Sequence, residues 1–270
     1  MARIALGLEY DGRAFEGWQT QRHRRTVQDT LEDALAVIAA RRVETVCAGR
    51  TDTGVHASAQ VVHFDCDTER ADNAWVRGVN AHLPGSIAVR WACRVNDTFH
   101  ARFSARSRRY RYVLFNSPVR SALFDGKVGW YHAPLDLDAM QAGVAYLRGE
   151  HDFSAFRAAE CQAKSPVRTL TEARVTGSGE WVFFDFEANA FLHHMIRNMV
   201  GALIYVGNGR LQPADIAHLL DQRDRRRSPP TFSPAGLYLS GVEYPDDWQL
   251  PGGGRIIAPL GPMLGPLVTP

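Results

Sequence analysis

The order in which strand-like and helix-like segments alternate restricts the fold of this 270-residue chain more than any other feature of its sequence. Alternating apolar residues indicate a strand, as in Ile4, Leu6 and Leu8, whereas apolar residues three or four positions apart indicate a helix. These patterns predict strands at 3–10, 43–47, 59–64 and 87–95, and helices at 26–40 and 72–83. Their order, β-α-β-β-α-β, is that of the ferredoxin-like or split βαβ unit.

The rest of the chain is predicted to repeat this order with one additional helix, although the residues themselves do not repeat. Strands are expected at 109–116, 167–176, 181–188 and 236–243, and helices at 137–147, 191–206 and 213–222. We therefore expect a mixed α+β protein of two ferredoxin-like halves, 1–105 and 106–245, with a largely antiparallel sheet and a central cleft suited to a binding site. A Gly/Pro-rich tail, 246–270, is predicted to be extended from Pro251 onward.

The basic residues of the chain are almost all arginines. Of 31 lysines and arginines only Lys127 and Lys164 are lysines, while the net charge is just +2. The planar guanidinium matches phosphates and base edges better than an ammonium group does. A nucleic-acid partner and a codon bias toward arginine both explain this composition.

The cysteines and the N-terminus indicate where the protein works. The four cysteines, Cys47, Cys66, Cys93 and Cys161, form no C-x-x-C pair or zinc motif, so we expect small buried residues in a reducing compartment. The N-terminus lacks the pattern of a signal peptide, and no apolar stretch approaches the length of a membrane span. A cytoplasmic protein is the expectation.

The segment most suggestive of chemistry is AGRTDTGVHASAQVVHF, residues 48–64. Gly49 and Gly54 permit a tight loop, and Arg50 favours the ionised form of a neighbouring Asp52, which could then act as nucleophile or base. Two other interpretations exist. An Asx-turn would make Asp52 purely structural, and a phosphate-binding P-loop is excluded because Val-His replaces the required Lys-Ser/Thr.

GRTDTGVHA followed by QVVHF resembles the signature of the TruA family of tRNA pseudouridine synthases. Further segments resemble that family in the same order along residues 4–244: YDG (10–12), FEGWQ (15–19), VNAHLP (79–84), FHARFSA (99–105), RYRY (109–112), HDFSAF (151–156), NAFLHHMIRN (189–198) and GLYL (236–239). Several separate matches in consistent order are far more specific than one.

The resemblance implies the pseudouridine synthase fold and a homodimer that needs no cofactor. It implies isomerisation of uridine to pseudouridine at positions 38, 39 and 40, in the anticodon arm of tRNA. Asp52 would be the nucleophile, attacking either C6 of the base or C1′ of the sugar. Tyr110 would stack on the flipped base, and Arg197 would pair with Asp52.

The residues themselves leave alternatives open for these roles. Tyr110 and Tyr112 share one face of a predicted strand, so both could be ordinary core residues. The predicted helix 191–206 places His193 and Arg197 on one face. His193 and His194 could instead begin a metal site, but no third ligand has suitable spacing.

Contacts with RNA are expected from guanidinium and aromatic groups on loops and strand ends. The candidates are Trp18, Gln19, Arg22, Arg24, Arg25, Arg50, Arg102, Arg106, Arg108, Arg109, Arg111 and Leu237. A second run, Arg223 and Arg225 to Arg227, is interpreted as a mobile loop able to touch RNA. Any of these arginines could equally belong to a solvated surface.

Two rival functions fit parts of the sequence. A non-catalytic RNA-binding module on a ferredoxin-like sheet would explain the arginines and aromatics, but it would not need Asp52. A metal-dependent nuclease would need two or more clustered carboxylates, and the Asp52 segment offers one.

Overall fold

The computed structural model describes residues 1–251. It divides into two compact units: a first unit of Met1–Arg108 with the chain from Tyr238 on, and a second unit of Arg109–Leu237.

The first unit is a sheet with two helices. Its elements are β1 (Ala2–Tyr10), α1 (Val27–Ala39), β2 (Val46–Cys47), β3 (His56–Cys66), α2 (Asp72–His82), β4 (Ile87–Val95) and β10 (Leu237–Glu243). The strand order is β4-β1-β3-β10, and β2 pairs with β3. β1 is antiparallel to both its neighbours, whereas β10 runs parallel to β3.

Capping and apolar packing fix the helices of the first unit. The Thr26 side chain accepts a hydrogen bond from the Asp29 amide at the start of α1, and Leu31 and Leu35 are fully buried. On α2, Trp75 packs edge-to-face on Phe64 of β3 with ring centroids 5.2 Å apart. Full burial of one apolar side chain of this kind stabilises the fold by roughly 1.5–3 kcal/mol relative to its exposure to water.

The second unit is likewise a sheet with helices. It contains β5 (Ser107–Asn116), β6 (Gly129–Tyr131), α3 (Leu137–Ala145), β7 (Gly149–Asp152), β8 (Val167–Ser178), β9 (Trp181–Ala188), α4 (Met195–Gly207) and α5 (Asp215–Gln222). The strand order is β5-β9-β8-β7, with β6 parallel to β5. β8 is antiparallel to β7 and β9. Helix α4 is buried along most of its length and contacts α3.

The structure confirms the predicted mixed α+β class and its largely antiparallel pairing. Three details were predicted wrongly. The strand expected at 43–47 is reduced to Val46–Cys47, and the short strands β6 and β7 were not predicted. The helix expected from residue 191 begins only at Met195, because His194 adopts a left-handed conformation with φ 60°.

The chain ends bear on two further predictions. The last strand groups with the first unit from Tyr238 on, while the division into ferredoxin-like halves at residue 105 stays a prediction. Asp246–Trp248 forms a short 3₁₀ turn, and the predicted extended tail lies outside the described residues beyond Pro251.

The cysteines follow their prediction only in part. All four are free thiols; Cys47 and Cys66 are buried, whereas Cys93 and Cys161 are half-buried. Burial raises the pKa of the Cys47 thiol to about 12, so this residue is an inert packing group. Within residues 1–251, no helix has both the length and the apolar character needed to cross a membrane.

Candidate active site

The predicted chemical segment forms a loop, residues 48–55, between β2 and β3; we call it the Asp52 loop. Thr51 is buried and its hydroxyl lies 2.8 Å from the Tyr10 hydroxyl oxygen. The fully buried Gln60 donates to the Gly49 carbonyl oxygen at 2.7 Å. These two anchors hold the loop on the sheet, while Asp52 between them stays half-exposed.

The backbone of residues 12–18 supports the other side of the Asp52 loop. The Trp18 amide donates to the Thr51 carbonyl oxygen at 3.0 Å. A Cβ at Gly12 would lie 2.1 Å from the Val55 carbonyl oxygen, and one at Gly17, where φ is +86°, would lie 3.0 Å from the Thr51 carbonyl oxygen. Only glycine permits so close an approach of two backbones. The YDG and FEGWQ segments therefore position the Asp52 loop.

His56, directly after the Asp52 loop, is buried and has a fixed ring. Its Nδ1 atom accepts a hydrogen bond from the Gly12 amide at 3.1 Å. Its ring stacks on Tyr238 of β10 with centroids 4.6 Å apart. His56 thus fixes the point where the Asp52 loop enters β3.

Arg108 is buried as well, at 8% exposure, and its side chain connects the Asp52 loop to the turn at residues 99–105. Its Nη2 donates to the Ala48 carbonyl oxygen at 3.0 Å and to the Arg102 carbonyl oxygen, and its Nη1 donates to the Ala105 carbonyl oxygen at 3.2 Å. This placement makes Arg108 a structural cation and does not favour the predicted contact with RNA.

Tyr110 lies in the second unit, on β5. It is 7% exposed and packs edge-to-face on Phe191 with centroids 5.1 Å apart. Tyr112 on the same strand face is fully buried and donates to the Ser233 carbonyl oxygen at 3.0 Å. Both tyrosines pack as the core interpretation predicts, and a catalytic part for Tyr110 stays a prediction.

Arg109 and Arg111 alternate with these tyrosines and form ion pairs. Arg109 donates to Glu187, with Nε 3.0 Å from Oε2, and Arg111 donates to Asp185, with Nε 2.7 Å from Oδ1. Both pairs join β5 to β9. Charges held in this way are less available to phosphates than solvated ones.

Arg197 occupies the first turn of α4 in the second unit and is half-buried. Its Nε donates to the Phe232 carbonyl oxygen at 2.9 Å, and the Phe232 amide donates back to the Arg197 carbonyl oxygen at 3.2 Å. His193 precedes the helix, so the predicted shared helical face with Arg197 is wrong. The rings of His193 and His194 lie 4.0 Å apart.

The remaining RNA-contact candidates differ in exposure. Those at the surface are Gln19, Arg22, Arg24, Arg25, Arg50, Arg102 and Arg106. Arg24 pairs with Asp33 at 2.7 Å and Arg25 pairs with Glu16. Trp18, 1% exposed, and Leu237, 5% exposed, are core residues in this structure, which does not favour direct contact with RNA.

The second arginine run forms a 3₁₀ turn at Arg225–Arg227. Arg225 points inward and donates to the carbonyl oxygens of Ser228 and Pro229 and to the Asn198 side chain, each at 3.0 Å. Arg223, Arg226 and Arg227 are exposed. The run thus combines one structural arginine with three surface ones.

The mixed α+β fold and the half-exposed carboxylate on a glycine-supported loop agree with an enzyme that uses an aspartate as nucleophile or base. The sequence profile described as tRNA pseudouridine synthase matches residues 8–104 and 144–245. The chain belongs to the tRNA pseudouridine synthase family.

Individual relatives carry a more particular name. The chain is 60% identical over 250 residues to tRNA pseudouridine synthase A of Methylobacillus flagellatus, covering 93% of this chain and 96% of that protein. Identity to the enzyme of the same name from Aromatoleum aromaticum is 61% over 255 residues, covering 94% and 97%. For Chromobacterium violaceum it is 62% over 250 residues, covering 92% and 95%. A solved Cbf5–Nop10–Gar1 complex is a distant match, with TM-score 0.32, 12% identity and coverage of 74% of this chain and 45% of that one.

Proposed function

We propose that this protein isomerises uridine to pseudouridine in tRNA, within the anticodon arm at positions 38, 39 and 40. The observation that carries the proposal is the Asp52 loop. In this chain, which belongs to the family, contacts of Thr51 and Gln60 anchor the loop and leave the Asp52 carboxylate half-exposed. Relatives about 60% identical over nearly the whole chain are named for this activity.

The reaction replaces a C–N glycosidic bond by a C–C bond and needs no redox step. The C1′–N1 glycosidic bond breaks, uracil rotates, C5 bonds to C1′, and the C5 proton leaves while N1 gains a proton. In our proposal the Asp52 carboxylate attacks C6 or C1′ and is released at the end. Either attack requires the ionised form of the aspartate.

Tyr110 and Arg197 are proposed to assist Asp52. The target base must be flipped out of the RNA, at a cost of a few kcal/mol. Stacking on Tyr110 would offset about 1–3 kcal/mol of that cost. Arg197, oriented through the Phe232 carbonyl oxygen, is proposed to pair with Asp52 and stabilise its charge.

Partners and location follow from the same family resemblance. We propose a homodimer in the cytoplasm in which one tRNA contacts both subunits. Surface arginines Arg22, Arg50, Arg102 and Arg106 are proposed to bind the RNA backbone.

Tritium release from tRNA labelled at C5 of uridine tests the reaction directly, with no metal added. Wild-type protein should release tritium, whereas Asp52→Asn and Asp52→Ala should release none because no nucleophile remains. Asp138→Asn, at an exposed position of α3, is the matched control and should keep wild-type activity.

Binding measured in parallel separates the outcomes. Asp52→Ala should still bind tRNA, because affinity rests on the arginines. Substantial release by Asp52→Asn would rule out Asp52 as nucleophile. A folded wild type that binds several tRNAs and never releases tritium would favour a non-catalytic RNA-binding protein.

A further inference from the structure

Residues 99–105 form a turn, here called the Phe103 turn, that holds an aromatic ring out to solvent. Phe103 is 75% exposed, whereas Phe99 and Ala101 are fully buried. The Ala101 amide donates to His63 Nδ1 at 3.1 Å, and its carbonyl oxygen accepts from the Tyr244 hydroxyl at 2.6 Å. The exposed ring therefore stands on a firmly anchored backbone.

His100 fixes the ring of Phe103 in place. Its Nδ1 accepts hydrogen bonds from the amides of Arg102 and Phe103, both at 3.2 Å. Its imidazole stacks on the Phe103 ring with centroids 4.3 Å apart and planes 29° apart. Because one ring supports the other, Phe103 presents a rigid aromatic surface and loses little conformational freedom on binding.

A guanidinium lies beside the Phe103 ring, and a second exposed arginine follows it closely in the chain. The Arg102 guanidinium lies 5.6 Å from the Phe103 ring centroid, and Arg106 is exposed on the same segment. Buried Arg108 bonds both Ala48 and Arg102, which fastens the Phe103 turn to the start of the Asp52 loop that carries exposed Arg50. An exposed aromatic ring, two arginines and the proposed nucleophile's loop thus belong to one connected piece of the first unit.

This combination fits an unpaired RNA base better than a protein surface. The buried core of a protein interface is formed by contiguous apolar groups, whereas Phe103 is the single exposed large hydrophobic side chain within residues 99–106 and has the Arg102 guanidinium beside it. Proteins that hold single-stranded nucleic acid join aromatic stacking to cationic contacts with phosphate.

We propose that Phe103 is a stacking platform for an unpaired base of the RNA substrate, with the Arg102 guanidinium on the adjoining phosphate. The inference rests on the proposed action on tRNA and adds a residue that binds the substrate without touching the reacting bond. Phe103 therefore sets affinity for RNA and takes no part in the chemistry.

Equilibrium binding of tRNA in the Asp52→Asn background, where substrate is not consumed, tests the platform. Phe103→Ala should raise Kd about tenfold or more, the range found for loss of one stacked base. Phe103→Tyr should keep wild-type affinity, and Phe103→Leu should behave like Phe103→Ala because leucine is apolar but cannot stack. Leu123→Ala, which removes a side chain exposed at 85% in the second unit, is the control and should leave Kd unchanged.

Salt dependence separates the ring from the charge. Arg102→Ala should reduce the slope of log K against log salt by about one, whereas Phe103→Ala should weaken binding with the slope unchanged. In tritium release with Asp52 intact, Phe103→Ala should raise KM and leave kcat near the wild-type value.

Three results would overturn the platform. They are an unchanged Kd for Phe103→Ala, wild-type affinity for Phe103→Leu, and a shift from dimer to monomer in sedimentation of Phe103→Ala, which would assign the ring to a contact between copies. Each can occur while wild type still releases tritium, so failure of the platform is distinct from failure of the proposed function.

Discussion

At the scale of single residues, the Asp52 loop depends on a glycine in the neighbouring segment as well as on its side-chain anchors. Gly17 has φ +86°, and a Cβ there would lie 3.0 Å from the Thr51 carbonyl oxygen and 3.3 Å from the Thr53 amide nitrogen. Asp52 is the residue between Thr51 and Thr53. Any displacement of this backbone therefore moves the proposed nucleophile.

Gly17→Ala should lower kcat for tritium release by about 10- to 100-fold, because displacements near 1 Å at a reacting group have effects of that size. Left-handed backbone also costs alanine roughly 1–2 kcal/mol, so a small loss of stability should accompany the change. Gly85→Ala is the control, since a Cβ there meets no atom within 4 Å. Equal kcat values for the two variants would mean that Gly17 does not position the loop.

At the scale of elements, helix α4 and the segment 225–232 are joined by one buried amide. Asn198, fully buried, donates to the Phe156 carbonyl oxygen at 2.7 Å and accepts from Arg225 at 3.0 Å and from the Thr231 hydroxyl at 2.6 Å. In the same segment, the Phe232 carbonyl oxygen accepts a hydrogen bond from Nε of Arg197. The orientation of Arg197 thus depends on contacts that its neighbour Asn198 makes.

Asn198→Ala should lower the free energy of unfolding by about 2–4 kcal/mol, because several buried polar groups lose their partner at once. Urea unfolding followed by circular dichroism measures this change. Arg226→Ala, on the exposed side of the same turn, should leave the unfolding midpoint in place. A midpoint for Asn198→Ala as high as that of Arg226→Ala would show that the network is dispensable.

The elements also show what the sequence could and could not predict. β4 and β9 were predicted to the residue because alternation and flanking turns mark both ends. β6 and β7, three and four residues long, are too short for a pattern to appear. The helix α4 was predicted four residues too long because Phe191 and Leu192 continue its apolar spacing, whereas the left-handed backbone of His194 leaves no such trace.

The same reasoning applies to the candidate site. A carboxylate between glycines is visible in the sequence, and so is its likeness to a known signature. Its supports are contacts between distant positions, such as Arg108 with Ala48 and Gln60 with Gly49. Spacing along the chain does not reveal such pairs.

At the scale of the whole molecule, acid should destabilise the fold through His63. Burial, with smaller effects from the positive charges of Arg3 and His100, lowers the pKa of His63 from 6.5 to about 4. Between those values the unfolded chain binds a proton that the folded one does not, so stability falls as pH drops from 6.5 toward 4. A neutral ring also agrees with Nδ1 accepting from the Ala101 amide.

Thermal unfolding from pH 7 to pH 4 measures this dependence. His63→Gln should flatten the fall in Tm across that range, because glutamine does not titrate. His82→Gln, at an exposed position of α2, should follow the wild-type curve. Parallel curves for wild type and His63→Gln would remove His63 as the source of the acid sensitivity.

The buried guanidinium of Arg108 bears on why the chain holds so few lysines. One flat group reaches three carbonyl oxygens, those of Ala48, Arg102 and Ala105, and Arg225 likewise reaches several acceptors. A single ammonium nitrogen has neither the span nor the planar fork for such a role. A drift of genomic base composition could exchange arginine for lysine over much of the surface, but at these two positions the architecture itself dictates the choice.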